Sequence, residues 1–272
     1  MRGMMRRPAV AGSFYPADPD RLRQELDQLT EGRRPPLEPR ARALLVPHAG
    51  YIYSGRIAAQ TYLAARLPAR IVILGPNHTG VGEAIAIMTE GTWSLPLGEA
   101  VIDAPLAAAI LDRCPASRAD AAAHRREHSL EVQVPFLQHL RGDLSFVPIC
   151  VGTQRLPLLL DLGRALAEAI TGEPDEILLV LSSDMSHDVP ASLAERLDQR
   201  ALDRVLAIDP EGLHRVVREE RISMCGVAPA VAGIEAARRL GAVSARLVAY
   251  GNSGERSGDF DAVVGYAGVA IF

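Results

Sequence analysis

Residues 41–55 read "ARALLVPHAGYIYSG", and the fold depends on where that stretch is divided. The apolar run through Val46 has the length and composition of a buried strand, and Pro47 stops it. Helical spacing resumes in "SGRIAAQTYLAARL" at 54–67. An imidazole, His48, therefore stands where a strand ends and a helix is about to begin. The arrangement recurs at 71–80, "IVILGPNHTG", and at 178–188, "LLVLSSDMSHD". Short apolar strands separated by helices imply an α/β domain with a sheet covered on both faces.

Working outward, "DPDRLRQELDQLT" at 18–30 reads as a helix with Asp18 or Asp20 near its N-cap. "EGRRPPLEPR" at 31–40 is a surface loop, because adjacent prolines fit neither a helix interior nor a central strand. "AIAIMTEGTWSLPLGEAVID" at 84–103 alternates between turn signals and reads as a hairpin-like insertion. Helices are expected at "APLAAAILDRC" (104–114), "SLEVQVPFLQHL" (129–140) and "LPLLLDLGRALAEAI" (156–170). Strands are expected at "LSFVPICVG" (144–152) and "EILLVLSSD" (176–184). Three further helices lie within 192–241, and strands "ARLVAYGNSG" and "AVVGYAGVAIF" close the chain. The hairpin and this last pair make the sheet mixed. With no repeat and no low-complexity segment, residues 1–272 form one domain in this reading.

Composition excludes several function classes. With 48% hydrophobic residues the chain can bury a large core, and a formal charge of -4 gives no basic field for nucleic acid. No apolar stretch approaches the ~20 residues of a membrane span. The opening "MRGMMRRPAVAGSFYP" has too short an apolar patch for a secretory signal, so a soluble, cytoplasmic protein is expected. Three widely spaced cysteines read as reduced thiols rather than a disulfide framework.

Ligands of open α/β sheets gather at the carboxyl ends of strands. His48, His78 and the pair Asp184 and His187 all lie just past such ends. One histidine alone would more often cap a loop, but several at equivalent positions favour a shared site. Two neutral imidazoles are a usual beginning of a transition-metal site, which needs a third ligand. Cys225, just before the helix of 226–241, is the strongest thiol, since a helix N-terminus favours thiolate. Cys150 also reaches a strand end, whereas Cys114 beside Pro115 looks incidental. Spacing alone does not choose among them. In "REHSLEVQVPFLQHL", His128 and Glu131 are three apart on an expected helix and either share a face toward a cleft or merely decorate its first turn. His124, His139 and His214 read as surface or structural. The glycine-rich "GNSGERSGDF" lacks the context of a phosphate loop.

"RRPAVAGSFYPADPDRL", "VPHAGYIYSG", "LGPNHTG", "EHSLEVQVPFL", "SSDMSHD", "SMCG" and "YGNSGE" follow one another in the order of the Memo family, whose prokaryotic members are called AmmeMemoRadiSam system protein B. The resemblance spans essentially the whole chain. It implies a fold similar to class III extradiol dioxygenases, which are non-haem iron enzymes. It also implies a metal site of His48, His78 and Cys225, with Asp184 and His187 in the same cleft and His187 as acid/base. A thiolate in place of the dioxygenase carboxylate suits iron, copper or zinc and argues against ring cleavage. The family name implies a radical-SAM protein and an AMMECR-type protein as partners. The expected function is a metal-dependent redox enzyme or metal-handling protein. The alternative is a non-catalytic cleft for a peptide or small molecule. Eukaryotic relatives bind phosphopeptides with a tryptophan where this chain has Phe14.

Overall fold

The computed structural model describes residues 4–272. Strand β1 (Met5–Arg6) precedes helix α1 (Pro19–Thr30), whose N-cap is Asp18, its carboxylate accepting from the Arg21 amide at 2.9 Å. Residues 31–40 hold no helix or strand. Next come β2 (Ala43–Val46), α2 (Tyr51–Tyr62) and β3 (Arg70–Pro76). The insertion supplies β4 (Ile85–Ile87), β5 (Thr92–Leu95) and β6 (Gly98–Ile102). Asp103 caps α3 (Ala104–Arg113), which is followed by β7 (Arg118–Ala119) and α4 (Gln133–Leu140). The βα alternation then continues through β8 (Ser145–Val151), α5 (Leu156–Thr171) and β9 (Ile177–Ser182). Helices α6 (Ala191–Leu206), α7 (Pro210–Glu219) and α8 (Val227–Arg239) lead to β10 (Ala245–Asn252), the single turn α9 (Gly254–Ser257) and β11 (Gly265–Ile271).

Among the described residues the strands form one mixed sheet in the order β1-β5-β6-β8-β3-β9-β2-β11-β10. Its centre, β8-β3-β9-β2, is parallel, and β11 and β10 complete it antiparallel. The central strands are apolar on both faces, as a doubly covered parallel sheet requires. Leu45, Val72, Leu74, Val147, Leu179 and Leu181 face the layer of α3 and α5–α8. Leu44, Val46, Ile71, Ile73, Leu178 and Val180 face α1, α2 and α4.

The expected hairpin is only part of residues 84–103. β5 and β6 pair antiparallel, but β4 leaves them to pair with the far half of β8. The cause is the length of β8: its outer edge carries β6 at Ser145–Phe146 and β4 at Ile149–Val151. The helix expected from Ser129 starts at Gln133, after turns at 129–132.

What matters for function is the order β3-β9-β2. It sets three carboxyl ends side by side, with Val46 in register with Ser182 and Leu74 with Leu181. His48, His78 and Asp184 each stand two residues beyond an end.

Candidate metal centre

The loops after β2 and β3 and the segment between β7 and α4 bring three histidines into contact. His48 and His78 lie edge to face at 5.3 Å between ring centroids, and His128 stacks on His78 at 4.6 Å and 20°. One donor atom from each of His48, His78 and His128 lies within 4.8 Å of the other two, a group that could hold a metal ion.

Two of the rings are held from behind by hydrogen bonds. His48 is 2% exposed, and its Nδ1 lies 2.9 Å from Ser182 Oγ. Its backbone amide donates to Asp184 Oδ1 at 2.8 Å. Burial, then the neighbouring charges of His128 and His78, keep this imidazole neutral well below the ordinary histidine range. His78 Nδ1 lies 2.8 Å from Glu127 Oε1, and its amide donates to Oε2 of the same carboxylate at 2.6 Å. Burial would raise the Glu127 pKa, but the bonds from His78 and the Ser129 amide win and hold it at about 2. A carboxylate accepts and cannot donate, so His78 Nδ1 carries a hydrogen, and Nε2 is the nitrogen left to act as a metal donor.

Of the three histidines Cys225 touches His48, and it is not part of the group whose donor atoms lie within 4.8 Å of one another. Its Sγ is 3.3 Å from His48 Nε2 and accepts from the Asp184 amide at 3.3 Å. The thiol is pushed up rather than down, by burial first and then by the charge of Asp184. Without a metal the sulfur is protonated, and binding one would release that proton. Asp184 is itself raised by burial, with Oδ2 3.9 Å from His48 Nε2. His187 is anchored by Ser223, whose carbonyl accepts from Nδ1 at 3.0 Å. It lies close enough for its charge to act on both His48 and Asp184.

Glu131 does not enter the cleft. It pairs with Arg6 at 2.7 Å and accepts from Tyr15 Oη at 2.6 Å and from the amides of Ala9 and Val10. The turns at 129–132 remove the helical spacing that would have put it beside His128. The carboxylate that serves the histidines is Glu127, one residue before His128, which sequence reasoning passed over. Cys150 is fully buried in the sheet and Cys114 at the end of α3. His124 and His214 are buried, bonded to the carbonyls of Ala86 and Gln154.

An imidazole that burial keeps neutral, a second whose Nδ1 is turned to a carboxylate, and a thiol alongside suit a borderline or soft transition metal. The comparisons with known proteins bear on the family and on the sheet that carries this cluster. A MEMO1 family protein of Aquifex aeolicus is 43% identical over 266 residues, covering 97% of this chain and 98% of that one. One of Methanopyrus kandleri is 40% identical over 280 residues, covering 98% and 99%. The crystal structure of an uncharacterized protein from Escherichia coli K12 shares the fold, with a TM-score of 0.57 at 14% identity, over 85% of this chain and 99% of that one. The family described as Memo-like protein matches residues 6–270, and the chain belongs to the Memo family.

Proposed function

We propose that His48, His78 and Cys225 hold one transition-metal ion, iron or copper before zinc, in a metal-dependent redox or metal-handling protein. The observation that carries this is the 3.3 Å between Cys225 Sγ and His48 Nε2. Donors at roughly 2.0–2.3 Å from a shared tetrahedral ion lie about that far apart. His128 is less suited as the third ligand. An imidazole lone pair lies in its ring plane, and rings stacked at 20° have planes that do not meet near a common ion.

A redox-active ion held here would supply electron exchange with an oxygen-containing ligand. The protein's own groups do the rest. Ser182 and Glu127 orient the two rings, and burial keeps His48 unprotonated. His187, with Nδ1 committed to Ser223, offers Nε2 to take or give a proton, and Asp184 stabilises the charge that results. The radical-SAM and AMMECR-type partners implied by the family belong to this same reading.

A second reading, a cleft that binds a peptide or small molecule without chemistry, is favoured by one feature. A groove of about 1120 Å³ runs beside the site between Phe14, Tyr51, Tyr53 and Tyr266, and Phe14 packs on His128 at 4.9 Å.

Metal affinity separates the two. Cys225→Ser should weaken iron(II) or copper(I) binding, measured by chelator competition, more than Cys150→Ser or Cys114→Ser, because an alcohol does not ionise at neutral pH. Equal affinity in all three variants would count against Cys225 as a ligand, and a wild-type protein that binds neither ion would leave the binding-cleft reading ahead.

A further inference from the structure

Behind His48 lies a chain of buried hydrogen bonds whose direction can be worked out. Tyr62 on α2, Gln133 on α4, Ser129 in the turn before α4, and Ser182 at the end of β9 are all fully buried. Tyr62 donates its hydroxyl to Gln133 Oε1 at 2.7 Å. The Gln133 amide nitrogen then faces three acceptors, the Pro47 carbonyl at 3.0 Å, Ser182 Oγ at 2.8 Å and, more distantly, the Val46 carbonyl at 3.4 Å. Turning the amide over would set its oxygen against the Pro47 carbonyl, so its orientation is fixed.

Ser182 has a single hydrogen, and the Ser129 carbonyl 2.7 Å away takes it. Toward Gln133 and His48 the hydroxyl can only accept. The atom facing it from His48 at 2.9 Å is Nδ1, which must therefore carry the ring hydrogen. We propose that Ser182 is a positioning residue, set by Gln133, Tyr62 and Ser129, that locks His48 in the Nδ1–H tautomer and leaves the Nε2 lone pair facing Cys225. It does with a neutral relay what Glu127 does for His78 with a charge. A hydroxyl leaves the imidazole less basic than a carboxylate would, so the two ligands are electronically unequal. The part of this inference that concerns metal rests on the reading of His48 as a ligand, but the tautomer does not.

The first test needs no variant. Nitrogen-15 NMR of the full-length, metal-free protein should show the His48 Nδ1 resonance as protonated and Nε2 as unprotonated. An Nε2–H or mixed tautomer would overturn the proposal. In Ser182→Ala the Nδ1–H signature should give way to a mixture, and Ser182→Thr, which keeps the hydroxyl, should restore it. A Ser182→Ala protein that keeps the pure tautomer would overturn the role of Ser182.

Zinc(II), a redox-silent probe, should bind Ser182→Ala about 10–100-fold more weakly than wild type, the usual cost of losing a partner behind a ligand. His48→Ala in the same titration separates two failures. Unchanged zinc affinity without the ring would sink the ligand reading and leave the tautomer standing. Zinc binding that fails in His48→Ala but is unchanged in Ser182→Ala would overturn the positioning role itself.

Discussion

Two acidic residues four positions apart do opposite work. Glu127 backs the histidine cluster and accepts from His78 twice, whereas Glu131 faces the amino-terminal segment and closes on Arg6, both side chains of that pair at most 3% exposed. Glu127→Gln removes the charge and sets an amide hydrogen against one of its donors. It should lower metal affinity about 10–100-fold in chelator competition. Glu131→Gln should leave that affinity within a few-fold but cost roughly 3–5 kcal/mol in urea unfolding, because it leaves the Arg6 guanidinium buried without its partner. The reverse pattern would mean that the two carboxylates have been assigned the wrong way round. His187 is tested similarly. Glutamine there cannot exchange a proton near neutral pH, so His187→Gln should retain metal while turnover with the eventual substrate falls about 10²–10⁴-fold. Loss of the metal would make His187 a ligand instead.

Among the elements, α8 is the one on which the site leans. It follows Cys225 directly and packs without clearance: a Cβ at Gly226 would meet the Ser182 carbonyl at 2.4 Å. Gly163 on α5 faces the Ala232 carbonyl of α8, 2.6 Å from where its own Cβ would stand. Gly163→Ala gains about 1 kcal/mol in helix propensity, yet it must push two helices apart. The expected balance is a loss of about 1–3 kcal/mol in urea unfolding, and a gain would mean that α5 and α8 slide freely. Elements such as α8, β3 and β9 were legible because their apolar runs keep one period for six residues or more. β1 was not, since two residues have no period. Yet Arg6 within it donates to the carbonyls of His124 and Glu127 and pairs with Glu131, fixing the segment that presents His128. His48 and His78 were legible for a related reason: each follows a strand end along the chain, whereas Cys225 stands between two helices. Their supports, Glu127, Ser182 and Gln133, act across 49 to 134 residues of sequence, and no local pattern marks them.

For the molecule as a whole, no helix among the described residues is long and apolar enough to cross a membrane, and the sheet is covered on both faces. Burial on this scale has a consequence for acid stability. His124 is fully buried against the Ala86 carbonyl, and burial first, then Arg6, lowers its pKa to about 4. His48 and His128 are lowered for the same leading reason. In the unfolded chain these imidazoles titrate near 6.5, so below that pH the unfolded state binds more protons and is favoured. The loss grows from about pH 6.5 down to the folded pKa. Glu127 adds a lower window, because a carboxylate held at about 2 stabilises the fold above its unfolded value and loses that as pH falls through 2. Asp184 and Asp198, raised by burial, work in the opposite direction. A wild-type profile therefore mixes signs, and a difference between two proteins isolates one group. His124→Gln keeps a donor for the Ala86 carbonyl but cannot take a proton. Its stability deficit relative to wild type, measured in urea with chelator present, should shrink by about 2 kcal/mol between pH 7.5 and 5, because only wild type suffers the protonation penalty over that range. A deficit independent of pH would show that His124 is protonated as readily in the fold as outside it.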